Sequence, residues 1–201
     1  MCSSDLFDLL ARREGWLSHM VGLKYFNVYG PNEYHKGEMR SVVNKAYPGV
    51  RDEGRIRLFQ SHRSDYGDGE QLRDFIYVAD AVAMTLFFLD HPGVNGLFNI
   101  GTGTARSWND IARALFSAAE KPGEIEYIPM PEPLREKYQY YTCADMARLR
   151  DAGCTHVCMS LEEAVREYVR EDLATGSHLE PHGGRKTNSE TPGGLRRAAS
   201  Q

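Results

Sequence analysis

The stretch Gly22-Leu-Lys-Tyr-Phe-Asn-Val-Tyr-Gly-Pro-Asn-Glu-Tyr-His-Lys-Gly-Glu-Met39 decides the fold. It carries a strand into a polar, lysine-bearing loop and then into a helix, the kind of junction at which α/β enzymes place their chemistry. Gly22 to Val28 alternates and is apolar enough for one strand, which Tyr29-Gly30-Pro31-Asn32 stops with turn residues. Met39, Val42, Val43 and Ala46 then follow a helical period, and Pro48-Gly49 is expected to end that helix. No glycine-rich strand-to-helix turn precedes the stretch, so the nucleotide-binding half normally joined to such a segment is expected to be missing.

Working outward, Ser3 to Arg13 has the spacing of a short amphipathic helix. Arg55 to Phe59 reads as a short exposed strand, His62 to Gln71 as a polar loop, and Arg73 to Val78 as a further strand. Asp80 to Leu89 is an apolar helix and Leu97 to Ile100 a strand closed by Gly101-Thr-Gly103. Ser107 with Asp110, and Ser160 with Glu163, have capping-box spacing ahead of helices from Trp108 to about Glu120 and from Ser160 to about Glu171. Glu124 to Ile128 alternates as an edge strand before a proline-rich connector, and Ala144 to Asp151 looks helical. Alternating strands and helices predict the parallel α/β class, with ligands at strand ends.

Composition narrows the function. With 201 residues, 41% hydrophobic and 26% charged, the chain can build one ordinary core plus tails. A net charge of −4 excludes a broad electrostatic footprint for nucleic acid or an anionic membrane, so any anionic ligand must meet local Lys and Arg. No window reaches the roughly 18 apolar residues of a membrane span, and a cytoplasmic protein is expected. Cys2, Cys143, Cys154 and Cys158 are too few for a disulfide scaffold and are expected to be reduced. Cys154-Thr-His-Val-Cys158 could be read as metal ligands, but no second ligand pair stands at zinc-site spacing, so small, partly buried residues are the preferred reading and no metal is expected. After residue 173 large apolar residues almost vanish, and 174–201 is expected to be a disordered tail behind a domain of residues 1–173.

Leu23 to Gly37, Arg73 to Asp80 and Phe98 to Gly103 together resemble the C-terminal part of extended short-chain dehydrogenase/reductases acting on sugar nucleotides. The string Tyr25 to Gly37, with Ile125-Glu-Tyr-Ile-Pro129 and Tyr138-Gln139, narrows the resemblance to the ADP-L-glycero-D-manno-heptose 6-epimerase family over about Leu6 to Arg170. The resemblance implies the C-terminal part of a Rossmann-like fold with its small substrate-binding domain. It also implies an isomerase of lipopolysaccharide core heptose synthesis, using NADP to oxidise C6 of an ADP-heptose transiently, in a homo-oligomer.

The site residues follow from that resemblance, each beside a plainer reading. Lys36 matches a catalytic, cofactor-side lysine; spacing alone makes it a solvated loop residue, and the His35-Lys36-Gly37 string reverses that. Asn27 matches a substrate-binding asparagine, or else caps a strand end, and Val28 matches a residue contacting the nicotinamide side through its backbone. Arg73 is the phosphate candidate, since a guanidinium grips a pyrophosphate bidentately; its alternative is a partner for Asp74 or Asp80. Phe59, Gln60, Ser61 and His62 fall where the family packs its substrate loop around adenosine diphosphate, and Tyr138 where a tyrosine reaches the substrate, with packing among Tyr140 and Tyr141 as its alternative. Lys45 occupies another substrate position, or else a solvated helix face. Gly101-Thr-Gly103 is a tight turn in preference to a phosphate cradle.

The sequence departs from the family in three places. The glycine-rich NADP turn and the Tyr-x-x-x-Lys pair have no match, that lysine falling at Ser4, so a shortened reading frame or fragment, inactive alone, is expected, with Met1 to Asp5 outside the native sequence. Glu38 brings a carboxylate to a substrate position that is usually neutral, and the Ser61 to Leu72 loop is longer than usual. Rival readings are another extended reductase-type sugar-nucleotide 4-epimerase or dehydratase, and a non-catalytic remnant serving only binding or oligomerisation.

Overall fold

The computed structural model describes residues 9–18, 20–176, 178–179 and 185–186. Residues 9–13 are helical (α1), and the earlier part of the helix expected from Ser3 lies outside the described residues. The expected strand 22–28 is two strands, β1 (Val21–Tyr25) and β2 (Asn27–Tyr29), with different partners. Phe26 separates them: its amide reaches the Ile100 carbonyl at 3.0 Å, and the Val28 amide turns back onto the Phe26 carbonyl at 2.8 Å, a three-residue turn that breaks the ladder. β1 pairs in parallel with β5 (Gly96–Ile100), and β2 in parallel with β4 (Leu72–Tyr77). β6 (Ala105–Ser107) adds antiparallel to β4, and β3 (Arg55–Phe59) pairs in parallel with β7 (Glu124–Ile128). This is the α/β arrangement predicted.

Two further expectations about local structure are corrected. The helix after the opening loop, α2 (Val42–Glu53), runs through Pro48 and Gly49 and ends at Gly54, a left-handed C-cap at φ 64°. Proline inside a helix costs about 3 kcal/mol, but Tyr47 and Val50 beside it are buried, and each such side chain returns about 1.5–3 kcal/mol. Strand β3 is half buried rather than exposed: Ile56 and Leu58 enter the core while Arg57 faces outward to Glu126 at 2.9 Å on β7. Both expected capping boxes form, at Ser107 with Asp110 for α4 (Trp108–Ala118) and at Ser160 with Glu163 for α7 (Leu161–Tyr168). Helix α3 (Val78–Asp90) follows β4 directly, short helices α5 (Glu132–Arg135) and α6 (Ala147–Asp151) lie in the later connectors, and a π-helical turn, Val169–Leu173, extends α7.

Strand β4, the centre of the mixed β2-β4-β6 sheet, is buried on both faces. Its pleat divides the molecule: Phe75 and Tyr77 join a core with Val43, Val50, Leu115 and Val165, whereas Ile76 joins a second core with Met84, Phe98 and Leu149. Of the tail, 174–176 form a turn and β8 (His178–Leu179) pairs with β9 (Arg185–Lys186); the rest of 174–201 lies outside the described residues.

Fully buried Asp74 shares the second face of β4 with Ile76. Its carboxylate accepts from the Thr102 amide at 2.8 Å, the Thr102 hydroxyl at 2.7 Å, the Gly103 amide at 2.9 Å and the Ala144 amide at 3.0 Å. Asp74→Ala leaves these donors without their acceptor and is expected to lower the unfolding free energy by about 3 kcal/mol or more, measured by urea denaturation.

Candidate functional site

A cleft of about 510 Å³ opens between α2 and β3, with Lys45, Phe59, Trp108 and Tyr138 on its walls. Three of these are expected substrate residues brought together from distant parts of the chain. Tyr138 is its organiser: Trp108 Nε1 donates to its hydroxyl at 3.0 Å, Phe59 meets its ring edge-on at 6.4 Å, and the Arg73 guanidinium lies 5.1 Å from the ring centroid. Burial raises the Tyr138 pKa above its ordinary value, keeping the phenol protonated.

Arg73 is buried and donates to the Leu72 carbonyl at 2.8 Å and to the Gln139 carbonyl. No carboxylate pairs with it among the described residues, which overturns the alternative of an Asp74 or Asp80 partner. Asp74 is held by the 101–103 turn, and Asp80 by His156 at 2.8 Å and the Met159 amide at 3.2 Å. Burial lowers the Arg73 pKa from its ordinary value, but a guanidinium remains charged. A buried cation with no carboxylate partner among the described residues, stacked against the Tyr138 ring on the cleft wall, is the electrostatic feature of this site that best suits an anionic ligand.

From Tyr138 an aromatic series continues to Tyr140 at 5.6 Å, and from there to Tyr66 at 4.9 Å and His62 at 5.2 Å, with the Arg63 guanidinium 5.0 Å from the Tyr140 ring. The Tyr140 hydroxyl accepts from the His62 amide at 3.0 Å and lies 2.8 Å from His62 Nδ1. Ser61 is pinned by its amide to Asp68 at 2.7 Å. The Gln60 amide prolongs the β3–β7 ladder to the Ile128 carbonyl, and its side chain is exposed. Ser61 and His62 are thereby fixed beside the cleft without lining it.

The opening loop is held by Glu33, only 3% exposed. Its carboxylate accepts from the Ser41 amide and hydroxyl, both at 2.6 Å, and from the Tyr168 hydroxyl at 3.1 Å, while Asn44 Nδ2 donates to the same phenol at 2.8 Å. Lys36 and Glu38 sit on the exposed 3₁₀ segment between, Tyr34–Met39, and Lys45 Nζ donates to the Glu38 carbonyl at 2.9 Å, tying that segment to the cleft rim. Asn27 is exposed, and Val28 lines a separate apolar cleft of about 210 Å³ with Tyr25, Val78 and Leu86. Neither Lys36, Asn27 nor Arg73 lines the first cleft. The 101–103 turn is a tight turn, as expected, whose amides hold the protein's own Asp74. The sequence reading missed Trp108, Glu33, Tyr140 and Arg63. A tryptophan at the first position of a capped helix and an acid in a Gly-Pro-Asn-Glu turn were the available signals.

A family model described as "NAD dependent epimerase/dehydratase family" matches residues 8–101. The chain is 56% identical over 180 residues to an ADP-L-glycero-D-manno-heptose-6-epimerase of Nitratidesulfovibrio vulgaris, covering 90% of this chain and 55% of that protein. Its structure superposes on the Helicobacter pylori ADP-L-glycero-D-manno-heptose-6-epimerase with a TM-score of 0.62 at 29% identity, over 82% of this chain and 49% of the other. It superposes equally well on a Thermotoga maritima UDP-glucose 4-epimerase solved with UDP-glucose, TM-score 0.63 at 29% identity over 84% and 51%. The chain spans about half the length of the curated relatives it matches.

Glu33→Gln keeps the shape but removes one acceptor from a buried set of donors. We expect about 1–3 kcal/mol of destabilisation, together with faster amide exchange over 34–45 than in the β4 core, read by hydrogen exchange.

Proposed function

We propose that this chain supplies the substrate-binding portion of a cytosolic NADP-dependent epimerase that interconverts ADP-D-glycero-D-manno-heptose and ADP-L-glycero-D-manno-heptose at C6, for lipopolysaccharide core synthesis. What supports this above all is the cleft that gathers Lys45, Phe59 and Tyr138 beside Arg73, a buried guanidinium with no carboxylate partner among the described residues.

In this reading the adenosine diphosphate lies along the Phe59 to His62 segment. Arg73 and Lys45 meet its phosphates, Tyr138 donates to the ligand, and Asn27 and Glu38 face the sugar. The apolar surface at Val28 fits the nicotinamide end of NADP, and the 101–103 turn, its amides spent on Asp74, does not bind the pyrophosphate. When bound, NADP supplies a reversible hydride acceptor. Lys36 Nζ exchanges the C6 hydroxyl proton of one epimer; in the other epimer that hydroxyl lies on the opposite face of C6, so a second proton-exchanging group is required there. That group is a tyrosine in the family, and no residue here matches it, so the chain by itself is expected not to turn over.

Calorimetry with ADP tests the site. ADP should bind the 201-residue chain, with Arg73→Met weakening it about 10-fold or more, the value of a charge-assisted hydrogen bond. The Thermotoga maritima likeness favours a second reading, a UDP-sugar 4-epimerase, and tighter binding of UDP than of ADP would establish that one instead. Turnover of the ADP-heptose by this chain without added protein would overturn the inactivity.

A further inference from the structure

A second cleft, of about 690 Å³, lies between the turn after β5 and the connector joining α6 to α7. It shares no lining residue with the substrate cleft. In its wall the connector residues His156 and Cys158 come against Asp80, in the first turn of α3, and one donor atom from each of the three lies within 4.8 Å of the others. His156 Nε2 is 2.8 Å from Asp80 Oδ1, and the Asp80 side chain is 6% exposed.

We propose that Asp80, His156 and Cys158 form a binding site for a borderline transition-metal ion, Zn²⁺ in the first instance. The donor set argues for the metal class: one carboxylate oxygen, one imidazole nitrogen and one sulfur suit zinc or cobalt and not the all-oxygen preference of calcium or magnesium. The geometry argues for feasibility. Tetrahedral zinc at its usual bond lengths places neighbouring ligand atoms about 3.3–3.6 Å apart, so three atoms already within 4.8 Å need to shift by only on the order of 1 Å. His156 and Cys158 flank Val157, which is exposed, and both line the cleft, where a water or small ligand can complete the coordination.

On binding, Nε2 of neutral His156 exchanges its hydrogen bond with Asp80 for the metal, and Nδ1 carries the ring proton. Cys158 binds as a thiolate, and its proton passes to solvent as the metal–sulfur bond forms. The ion fastens the α6–α7 connector to the start of α3. Cys154 lines the same cleft but is outside the trio, which separates this arrangement from the two-cysteine reading of the sequence.

The experiment is a Co²⁺ titration of the untagged 201-residue chain, followed by optical spectroscopy and by competition with Zn²⁺. Expected are one equivalent bound, a thiolate-to-cobalt charge-transfer band, displacement by Zn²⁺, and a higher melting temperature with Zn²⁺. Cys158→Ser should abolish the band and His156→Gln weaken binding at least 10-fold, with Cys154→Ser behaving as the parent chain. Absence of binding at micromolar metal, absence of the band in the parent chain, or a Cys154→Ser loss equal to that of Cys158→Ser would overturn the proposal. Should His156→Gln lose its circular dichroism spectrum, the parent chain's band and the two serine variants still decide.

Discussion

A strand buried on both faces has to satisfy two neighbourhoods with one alternating set of side chains, and β4 carries that constraint for this molecule. Phe75 and Tyr77 enter the core built by α2, α4 and α7, and Ile76 enters the core built by α3, β5 and α6. Polar residues obey the same alternation. Arg73 shares the face of Phe75 and reaches Tyr138, whereas Asp74 is captured by the turn after β5. A one-residue slip in the pairing of β2 with β4 would exchange these roles and bury a guanidinium among amides that need an acceptor.

The candidate site is assembled largely by residues that never touch its cleft. Glu33 gathers Ser41 and Tyr168, and so fixes the segment bearing Lys36 and Glu38 against the start of α2. Tyr140 plays the corresponding part for Ser61 and His62. Both devices are buried or half-buried polar networks, in which every member depends on its partners for a hydrogen bond.

Most of the architecture was legible in the chain because its signals were local. The capping boxes at Ser107 and Ser160 and the alternation from Glu124 to Ile128 each report on a few neighbouring residues, and each formed. The failures were of another kind. Pro48 reads as a helix terminator until Tyr47 and Val50 are seen to be buried, and the break at Phe26 depends on a carbonyl at Ile100 that no window of sequence includes. The cleft was legible in part: Lys45, Phe59 and Tyr138 were named before they met, but Trp108, which supplies a hydrogen bond to Tyr138, comes from a helix whose sequence speaks only of capping. The contact of His156 with Asp80 likewise joins residues far apart in the chain.

The parallel pairings have a consequence for how the chain reaches this state. Val21 must find Gly96 and Arg55 must find Glu124, each across an intervening run of helix and strand. Pairings so distant reward the chain only after the loop-closure entropy has been spent, which places this protein among topologies of high contact order. Its folding is accordingly expected to be slow relative to helical proteins of the same size, with α4 and α7, self-capped and adjacent, the natural first structure on which the strands condense.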